Sequence, residues 1–366
     1  MKILMIVSNP YTHDPRVYNE AMSLVNSGHD VTVIGWDRNN KHAIEEWNKN
    51  VRIIRIQNKG ILRVLPGVMI KNPLWWRKAY RRGLKLFYDE WKFDVVHCHD
   101  LDTLPAGVWL KKKTNCRLYY DAHEIFGYMI LDKPKIISKL SFWMEKKLIK
   151  HVDKIITVND PLKKYFKKIS SKPIEIIMNC KKIGSTDYHS PENDVFTIIY
   201  LGALNEHRFL LETIDVIKEI TDVKLIIGGQ GKLFNEIKNK CQQIKNIDFV
   251  GLVRQDKVIK MTKESNVVLC IFNPNNKNNQ VGLPNKVFES MVCGRPIIIT
   301  KDLYYENVVN DGGITIDFSK KSLRESIIYL RDNPKFCERL GKNALKKAIE
   351  EYNWKTQEQK LLMLYR

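Results

Sequence analysis

No stretch of the 366 residues comes near the roughly 18 consecutive apolar residues of a membrane-spanning helix. The longest apolar runs, such as Thr197–Leu201, have only the length of a strand. Cysteine is sparse and scattered. The seven residues Cys98, Cys116, Cys180, Cys241, Cys270, Cys293 and Cys337 are an odd number without a Cys-x-x-Cys pair. That pattern argues for reduced cytoplasmic thiols and against a disulfide framework or zinc knuckle. No Gly-x-Gly-x-x-Gly follows the first apolar run, which counts against a dinucleotide-dependent dehydrogenase. Neither a low-complexity tract nor a repeat with a period of about 20–50 residues is visible.

Aromatic residues are plentiful, with eight Trp, thirteen Phe and fifteen Tyr. A chain so composed has ample apolar surface to bury, which excludes disorder. At roughly 100–200 residues per domain, the length implies two domains. Met1–Val7 carries one Lys and a short apolar run that stops at Ser8-Asn9-Pro10, and it reads as a first strand, not a signal peptide.

Acidic residues are the minority charge, 41 against 61 basic ones, for a net charge of +20. The excess is uneven. Residues 1–190 hold 34 basic and 19 acidic residues, while Arg52–Lys92 alone holds eleven and two. A positive field this local attracts a polyanion or an anionic membrane. Lysine-rich composition with solvated helix faces explains the overall bias but not the clustering.

Short Ile- and Val-rich runs alternate with amphipathic segments of helical length. One series of strands is read at Lys2–Val7, Asp30–Gly35, Val51–Ile56, Asp94–Cys98, Arg117–Asp121, Lys154–Val158 and Ile174–Met178. A second is read at Phe196–Leu201, Val223–Ile227, Ile247–Val250, Val267–Ile271, Pro296–Thr300 and Gly313–Ile316. This is the pattern of α/β domains with parallel sheets covered by helices. The polar segment Cys180–Asp194 between the two series reads as a linker. The expected division is 1–180, a linker 181–195, 196–349, and a terminal helix 350–366.

Ligand chemistry in such sheets collects beyond the carboxyl ends of strands. After the first strand, Asp14-Pro15 opens a helix, with Asp14 as cap. Arg16 in the first turn opposes the helix dipole, so it points to an anionic or hydroxyl-rich partner. His97-Cys98-His99-Asp100 and Asp121-Ala122-His123-Glu124 end two further strands. They match no standard zinc spacing, and no metal is expected. Polar groups lining a hydroxyl-rich pocket fit better, with His123 foremost because imidazole both donates and accepts near neutrality. The alternative is a histidine satisfied by neighbouring backbone. In the second half, Gly202 and Gly229-Gln230-Gly231 follow strands and permit a ligand to approach backbone closely. Gly282–Pro296 reads as a loop, a helix opened near Pro284 and a stop at Gly294. Its amino end suits a diphosphate. Lys286 and Glu289 would share one face, and Glu289 can accept two ribose hydroxyls. A plain surface Lys–Glu pair is the blander reading.

With these blocks in place, the chain resembles retaining glycosyltransferases of the GT-B fold, in the family that includes glycogen and sucrose synthases and bacterial lipid mannosyltransferases. The resemblance runs through Asp14-Pro15-Arg16, Gly28-His29-Asp30-Val31, Asp94-Val95-Val96-His97, Tyr120–Glu124, Gly202, Gly229-x-Gly231 and Pro284–Pro296. It implies two Rossmann-like domains facing a central cleft, with the last helix crossing back to the first domain. The acceptor binds the first domain, near Arg16, Asp100 and Glu124, and the nucleotide-sugar binds the second. His123 is implied beside the donor sugar. Gly202, Gly229, Gly231, Leu283, Pro284 and Asn285 are implied near nucleotide, diphosphate and sugar, and Glu289 on the ribose. Arg208 or Lys286 is implied to steady the departing phosphate. No cofactor is implied.

Three positions depart from the family pattern. Val281 replaces the first glutamate of Glu-x7-Glu, with Asn279 or Gln280 as substitutes. Ala203 replaces the first of a basic pair, and the glycine-rich loop after the first strand is missing.

The reading is transfer of a sugar from a nucleotide-diphosphate donor to a hydroxyl acceptor, lipid-linked or part of a cell-envelope glycan. Asn72–Glu90 interleaves aromatic and basic residues, which suits peripheral attachment to the cytoplasmic face of an anionic membrane, with Trp75 and Trp76 as anchors. The competing description of that stretch is a core-packing helix with a basic solvent face. Two other classes compete with the transferase. One is a sugar-nucleotide epimerase of GT-B-like fold, and the other a nucleic-acid or polyanion binder, for which no recognisable module is present.

Overall fold

The computed structural model describes residues 1–12, 14–65, 68–131 and 134–366. Two units emerge, Met1–Met178 with Gln357–Arg366, and Asn179–Thr356.

The first unit holds β1 (Lys2–Ile6), β2 (Asp30–Asp37), β3 (Glu45–Asn48), β4 (Val51–Gln57), β5 (Val95–His99), β6 (Arg117–Ala122), β7 (Lys154–Thr157) and β8 (Ile174–Ile176). Their order in the sheet is β3-β4-β2-β1-β5-β6-β7-β8. All neighbours are parallel except β3 with β4. Central strands buried on both faces need apolar residues at successive positions. Ile3, Leu4 and Met5 of β1 and Val95 and Val96 of β5 are accordingly buried. The sheet order reverses between β1 and β5, the place where α/β sheets open a crevice for ligand.

The one strand that the apolar pattern does not announce is β3. Glu45, Glu46, Trp47 and Asn48 are all exposed, so no apolar alternation marks them. Charge pairing holds this edge: Arg52 meets Glu45 at 2.7 Å and Arg55 meets Glu46 at 2.6 Å. Arg52 and Arg82 also bind Glu90, at 2.8 and 2.5 Å. Three arginines of the basic stretch are thus neutralised inside the unit.

The same stretch corrects the expectation of aromatic membrane anchors. It forms the helix Val68–Lys85 and a single wide turn, Leu86–Glu90. Trp75 is fully buried and stacks on Trp36 with centroids 5.1 Å apart. Trp76 donates its indole N–H to the Asp102 carbonyl at 2.5 Å. Neither ring is presented outward, because the apolar face of the helix belongs to the core.

The chain's last helix, Trp354–Met363, carries its end into the first unit. Tyr119 Oη and Lys154 Nζ both donate to the Leu364 carbonyl, at 2.9 and 2.8 Å. Met178 N donates to the Gln357 side chain at 3.0 Å.

The second unit holds β9 (Phe196–Ala203), β10 (Val223–Gln230), β11 (Ile247–Gly251), β12 (Val267–Cys270), β13 (Ile297–Thr300) and β14 (Gly313–Ile316). The order β11-β10-β9-β12-β13-β14 is fully parallel and reverses between β9 and β12. Ile198, Tyr200, Leu225, Ile227, Val267, Leu269 and Ile298 form its core. All seven cysteines are free and buried.

Candidate active site

In the first unit the site grows around one carboxylate, Asp121, at the end of β6. Its register neighbour is His99 at the end of β5. Arg16, in the first turn of helix Pro15–Asn26, grips Asp121 with two nitrogens at 2.9 and 2.7 Å. The same guanidinium meets Glu20 at 3.1 Å and donates to the Ile177 carbonyl at 2.6 Å. Arg16, Glu20 and Asp121 are all buried. The unfavourable position of Arg16 against the helix dipole therefore has an internal cause. The anion it meets is Asp121, so the structure spends Arg16 on the fold and not on an acceptor.

His123 sits between two carboxylates. Its Nε2 lies 3.0 Å from Asp121 and its Nδ1 lies 3.3 Å from Asp100. Burial alone would lower its pKa, but Asp100 and Asp121 override that and push it up to about 10. The two carboxylates thus favour the protonated ring. Burial would raise Asp121, yet Arg16 and His123 hold it well below the usual carboxylate range. Burial pushes Asp100 up to about 7, against the pull of His123. Asp100 also takes a left-handed backbone conformation (φ 62°) that non-glycine residues seldom adopt. Its carboxylate accepts the His123 amide at 3.0 Å. This strained corner fixes both backbone and ring of His123. Glu124 is exposed beside it.

Three further residues complete the cluster, of which Glu20 and Tyr365 were not singled out by sequence and His97 was read only as part of the His97–Asp100 run. Glu20 is pushed up to about 8, by burial and then by Asp121. His97 is buried and held well below its ordinary value, first by burial and then by His99. Tyr365, one residue from the carboxyl terminus, places Oη 2.6 Å from His97 Nδ1. His97 stood in the strand-end run and Glu20 had its i,i+4 spacing from Arg16, while Tyr365 had no local signal.

Ligating atoms of Glu20, His97, His99 and Asp121 lie within 4.8 Å of one another. The Arg16 guanidinium already supplies a cation against two of the four, so the group reads as a compensated charge cluster.

In the second unit the candidate residues gather at the ends of β9, β10 and β12. Gly202 and Gly229 are register partners with φ of 156° and 139°, which L side chains rarely adopt. A Cβ on Gly229 would collide with the Gly202 carbonyl, and one on Gly202 would collide with Lys286 Nζ. Gly231 runs against the Leu204 backbone, where a side chain would also clash. The backbone contacts at Gly229 and Gly231 therefore require glycine, while at Gly202 the neighbour is the end of a flexible lysine and the positive φ is the constraint.

Helix Asn285–Val292 begins after Pro284, which offers its first-turn amides no side-chain acceptor. Leu283 and Pro284 are half-buried and Asn285 is exposed. Lys286 Nζ lies 4.4 Å from the centre of the Tyr200 ring. Burial lowers its pKa, opposed by Glu289. Arg208 lies flat on Phe272, 3.6 Å from the ring centre, and donates to Asn279 Oδ1 at 3.3 Å. It has no carboxylate partner among the described residues. Glu289 is buried and meets Lys181 Nζ at 3.2 Å. The expected Lys286–Glu289 association is electrostatic, and the direct ion pair goes to Lys181. Asn279, one of the two substitutes weighed for the missing glutamate, is buried and occupied by Arg208 and the Asn273 carbonyl. Gln280 turns away to the Pro274 carbonyl.

Two largely parallel sheets of this strand order, the second with glycine-lined strand ends beside cations that have no carboxylate ion pair among the described residues, define the GT-B class of nucleotide-sugar glycosyltransferases. Residues 16–180 match the family described as Glycosyltransferase Family 4, and residues 187–347 match Glycosyl transferases group 1. The chain belongs to this family of glycosyltransferases. An uncharacterized glycosyltransferase of Methanocaldococcus jannaschii is 24% identical over 97% of this chain and 95% of its own. Among solved structures, sucrose-phosphate synthase from Thermosynechococcus elongatus superposes with a TM-score of 0.83 at 16% identity, covering 100% of this chain and 98% of the other. The Anabaena protein HepE in complex with UDP-glucose gives 0.74 at 14% identity, covering 100% and 99%. At such identities the likeness establishes the fold. No helix among the described residues is long and apolar enough to cross a membrane.

Proposed function

We propose that the second unit binds a nucleoside-diphosphate sugar and that the first unit receives a hydroxyl acceptor, with the sugar transferred with retention of its anomeric configuration. The observation that carries this is the cation Arg208 without a carboxylate partner, beside the glycine-lined ends of β9 and β10. That arrangement is built for an anion that arrives from outside. The C1–oxygen bond of the donor breaks with its electron pair leaving on the diphosphate. The acceptor oxygen bonds to C1, and its proton passes to the departing phosphate. Arg208, Lys286 and the amides at Asn285 and Lys286 stabilise the growing phosphate charge, a role worth about 3–4 kcal/mol per donor. These residues supply the positive charge that a metal would otherwise bring, so no metal or cofactor is proposed. Glu289 takes the ribose hydroxyls. His123 presents its imidazolium to the sugar or acceptor.

UDP-glucose is the first donor to test, because a neighbour of the same fold binds it. The acceptor we infer is lipid-linked or part of a cell-envelope glycan, at the cytoplasmic face of the membrane. The basic surface of the first unit and the seven free thiols support that placement. Calorimetric titration with a panel of nucleoside-diphosphate sugars, followed by product analysis, tests the reading. Saturable binding and transfer of the sugar are expected. Conversion of the donor to its epimer without an acceptor, or no binding by any nucleotide sugar, would overturn it.

A further inference from the structure

The helix Lys135–Leu148 of the first unit turns polar residues fully inward beside the half-buried Ile137, Phe142, Met144 and Leu148. Its buried positions are Ser138, Ser141 and Glu145. They are satisfied locally. Ser138 Oγ donates to the Gly127 carbonyl at 2.9 Å, and Glu145 accepts from Tyr120 and Tyr165 at 2.7 and 2.5 Å. Three of the outward positions are apolar. Ile136 is 74% exposed, Leu140 58% and Trp143 60%. Their spacing of four and three residues puts them on one stripe. Met129 and Leu131, just before the helix, are exposed as well. Exposed apolar residues in isolation are ordinary, but an aligned stripe with its polar counterpart turned inward marks an interaction surface.

The same face is basic. Lys135, Lys139, Lys146 and Lys147 are exposed around the stripe, and the helix's one acidic residue, Glu145, is buried. Lys147 Nζ lies 5.9 Å from the Trp143 ring centre. Positive charge continues past the helix end. His151 is held below its ordinary value by burial and then by Lys112, Lys111, Lys172 and Lys150. Lysines flanking an apolar stripe can lay their stems along it and keep their ammonium groups in a polar layer.

We propose that this face is a docking surface for an anionic lipid bilayer, with the helix lying in the interfacial plane. Ile136, Leu140 and Trp143 enter the boundary between headgroups and acyl chains, Trp143 at headgroup level, and the lysines meet anionic headgroups. Charge complementarity selects this occupant. A second copy of the chain would set four lysines against four more across an apolar seam. The surface differs from the Arg52–Lys92 stretch, whose tryptophans are turned into the protein. It deepens the reading of a membrane-borne acceptor and rests on it for its purpose.

The test uses the full chain and sedimentation with vesicles of phosphatidylglycerol mixed into phosphatidylcholine, with pure phosphatidylcholine as the reference. The wild type should partition onto the anionic vesicles and much less onto the neutral ones. The combined variant Ile136→Gln, Leu140→Gln and Trp143→Gln should lower that partition by about tenfold or more. A second variant, Lys139→Gln, Lys146→Gln and Lys147→Gln, should lose the preference for anionic lipid. Both should keep the wild-type unfolding midpoint and affinity for UDP-glucose, which separates failure of the surface from failure of the donor reading. Absence of vesicle binding by the wild type, or unchanged binding by the apolar variant, overturns the proposal. A wild-type dimer that the apolar variant dissolves, without vesicle binding, assigns the face to a second copy instead.

Discussion

The two units handle charge at their strand ends in opposite ways. In the first unit every candidate cation is already held: Arg16 by Asp121 and Glu20, His123 by Asp121 and Asp100. In the second unit Arg208 lies on Phe272 and Lys286 on Tyr200, rings that hold a cation without neutralising it. The first arrangement fixes geometry before any ligand arrives. The second leaves positive charge for a ligand to neutralise. A transferase needs both, one to orient groups at the reacting centre and one to take up the phosphate charge that develops.

The strongest way to break this comparison is to remove the hub of the first unit. Asp121→Ala removes the carboxylate that buried Arg16 holds with two nitrogens, while Glu20 and the Ile177 carbonyl remain among its partners. Losing one partner of a buried pair typically costs about 3–5 kcal/mol. Denaturant unfolding should show a loss of that size. A loss comparable to that of an exposed pair would mean that the network contributes little to the fold.

Next in size is His123. His123→Ala should lower turnover by roughly 10²–10³-fold while affinity for free UDP stays unchanged. Equal loss of both would place His123 on the nucleotide. The same side chain also sharpens the comparison through pH. Its folded value is raised from 6.5 to about 10, so its contribution to stability is complete below pH 6.5 and is lost as pH rises through 10. Glu20, raised from 4.5 to about 8, acts with the same sign at lower pH, being lost as pH rises through 8. From these two groups the unfolding midpoint should therefore fall between pH 4.5 and 10, with the part above pH 8 due to His123. His123→Gln, which cannot titrate, should flatten the upper part of that fall. A wild-type midpoint constant over this window would contradict the charged state assigned to the ring.

How much of this could be read in the chain depends on how local each signal is. Thirteen strands announce themselves by apolar runs, most plainly the central ones that are buried on both faces. The exposed strand Glu45–Asn48 does not, since ion pairs with Arg52 and Arg55 hold it. The residues around Gly202, Gly229 and Glu289 stand in contiguous motifs and were legible. The pairing of Arg16 with Asp121 spans 105 positions, and no local pattern reports it. That distance is why Arg16 looked available to an acceptor. Trp75 and Trp143 teach a related lesson. Both sit in amphipathic helices among basic residues, but the direction each ring faces is decided by what the rest of the unit packs against. The Lys135–Leu148 helix can bury Glu145 and leave three apolar residues outside because two tyrosines supply that carboxylate with partners.

Within the second unit, Glu289 is the smaller lever. Glu289→Ala removes a buried carboxylate paired with Lys181 and should weaken UDP binding by about 1.5–3 kcal/mol, the scale of a charged hydrogen bond. Lys181→Met serves as the control, since it frees Glu289 without removing it. Calorimetry should show a clear loss for the first variant and a lesser change for the second. Unchanged affinity in Glu289→Ala would take this residue out of the site.

The smallest expected effect is none at all. Glu20, His97, His99 and Asp121 bring four ligating atoms within 4.8 Å, the kind of cluster that holds a divalent ion. A metal there would have to displace or sit beside the Arg16 guanidinium, which lies 2.7 Å from Asp121 and 3.1 Å from Glu20. Burying a second positive charge next to the first carries a large desolvation and repulsion cost. Added zinc or manganese should therefore leave the unfolding midpoint where it was, and a chelator should leave transfer unchanged. Arg16→Gln changes the terms of the experiment. It keeps a polar side chain but removes the resident charge, so the freed carboxylates gain room for an ion. Zinc should then stabilise the variant and not the wild type. Stabilisation of the wild type by zinc, or transfer abolished by a chelator and restored by a divalent ion, would show that the first unit's charge is not internally balanced.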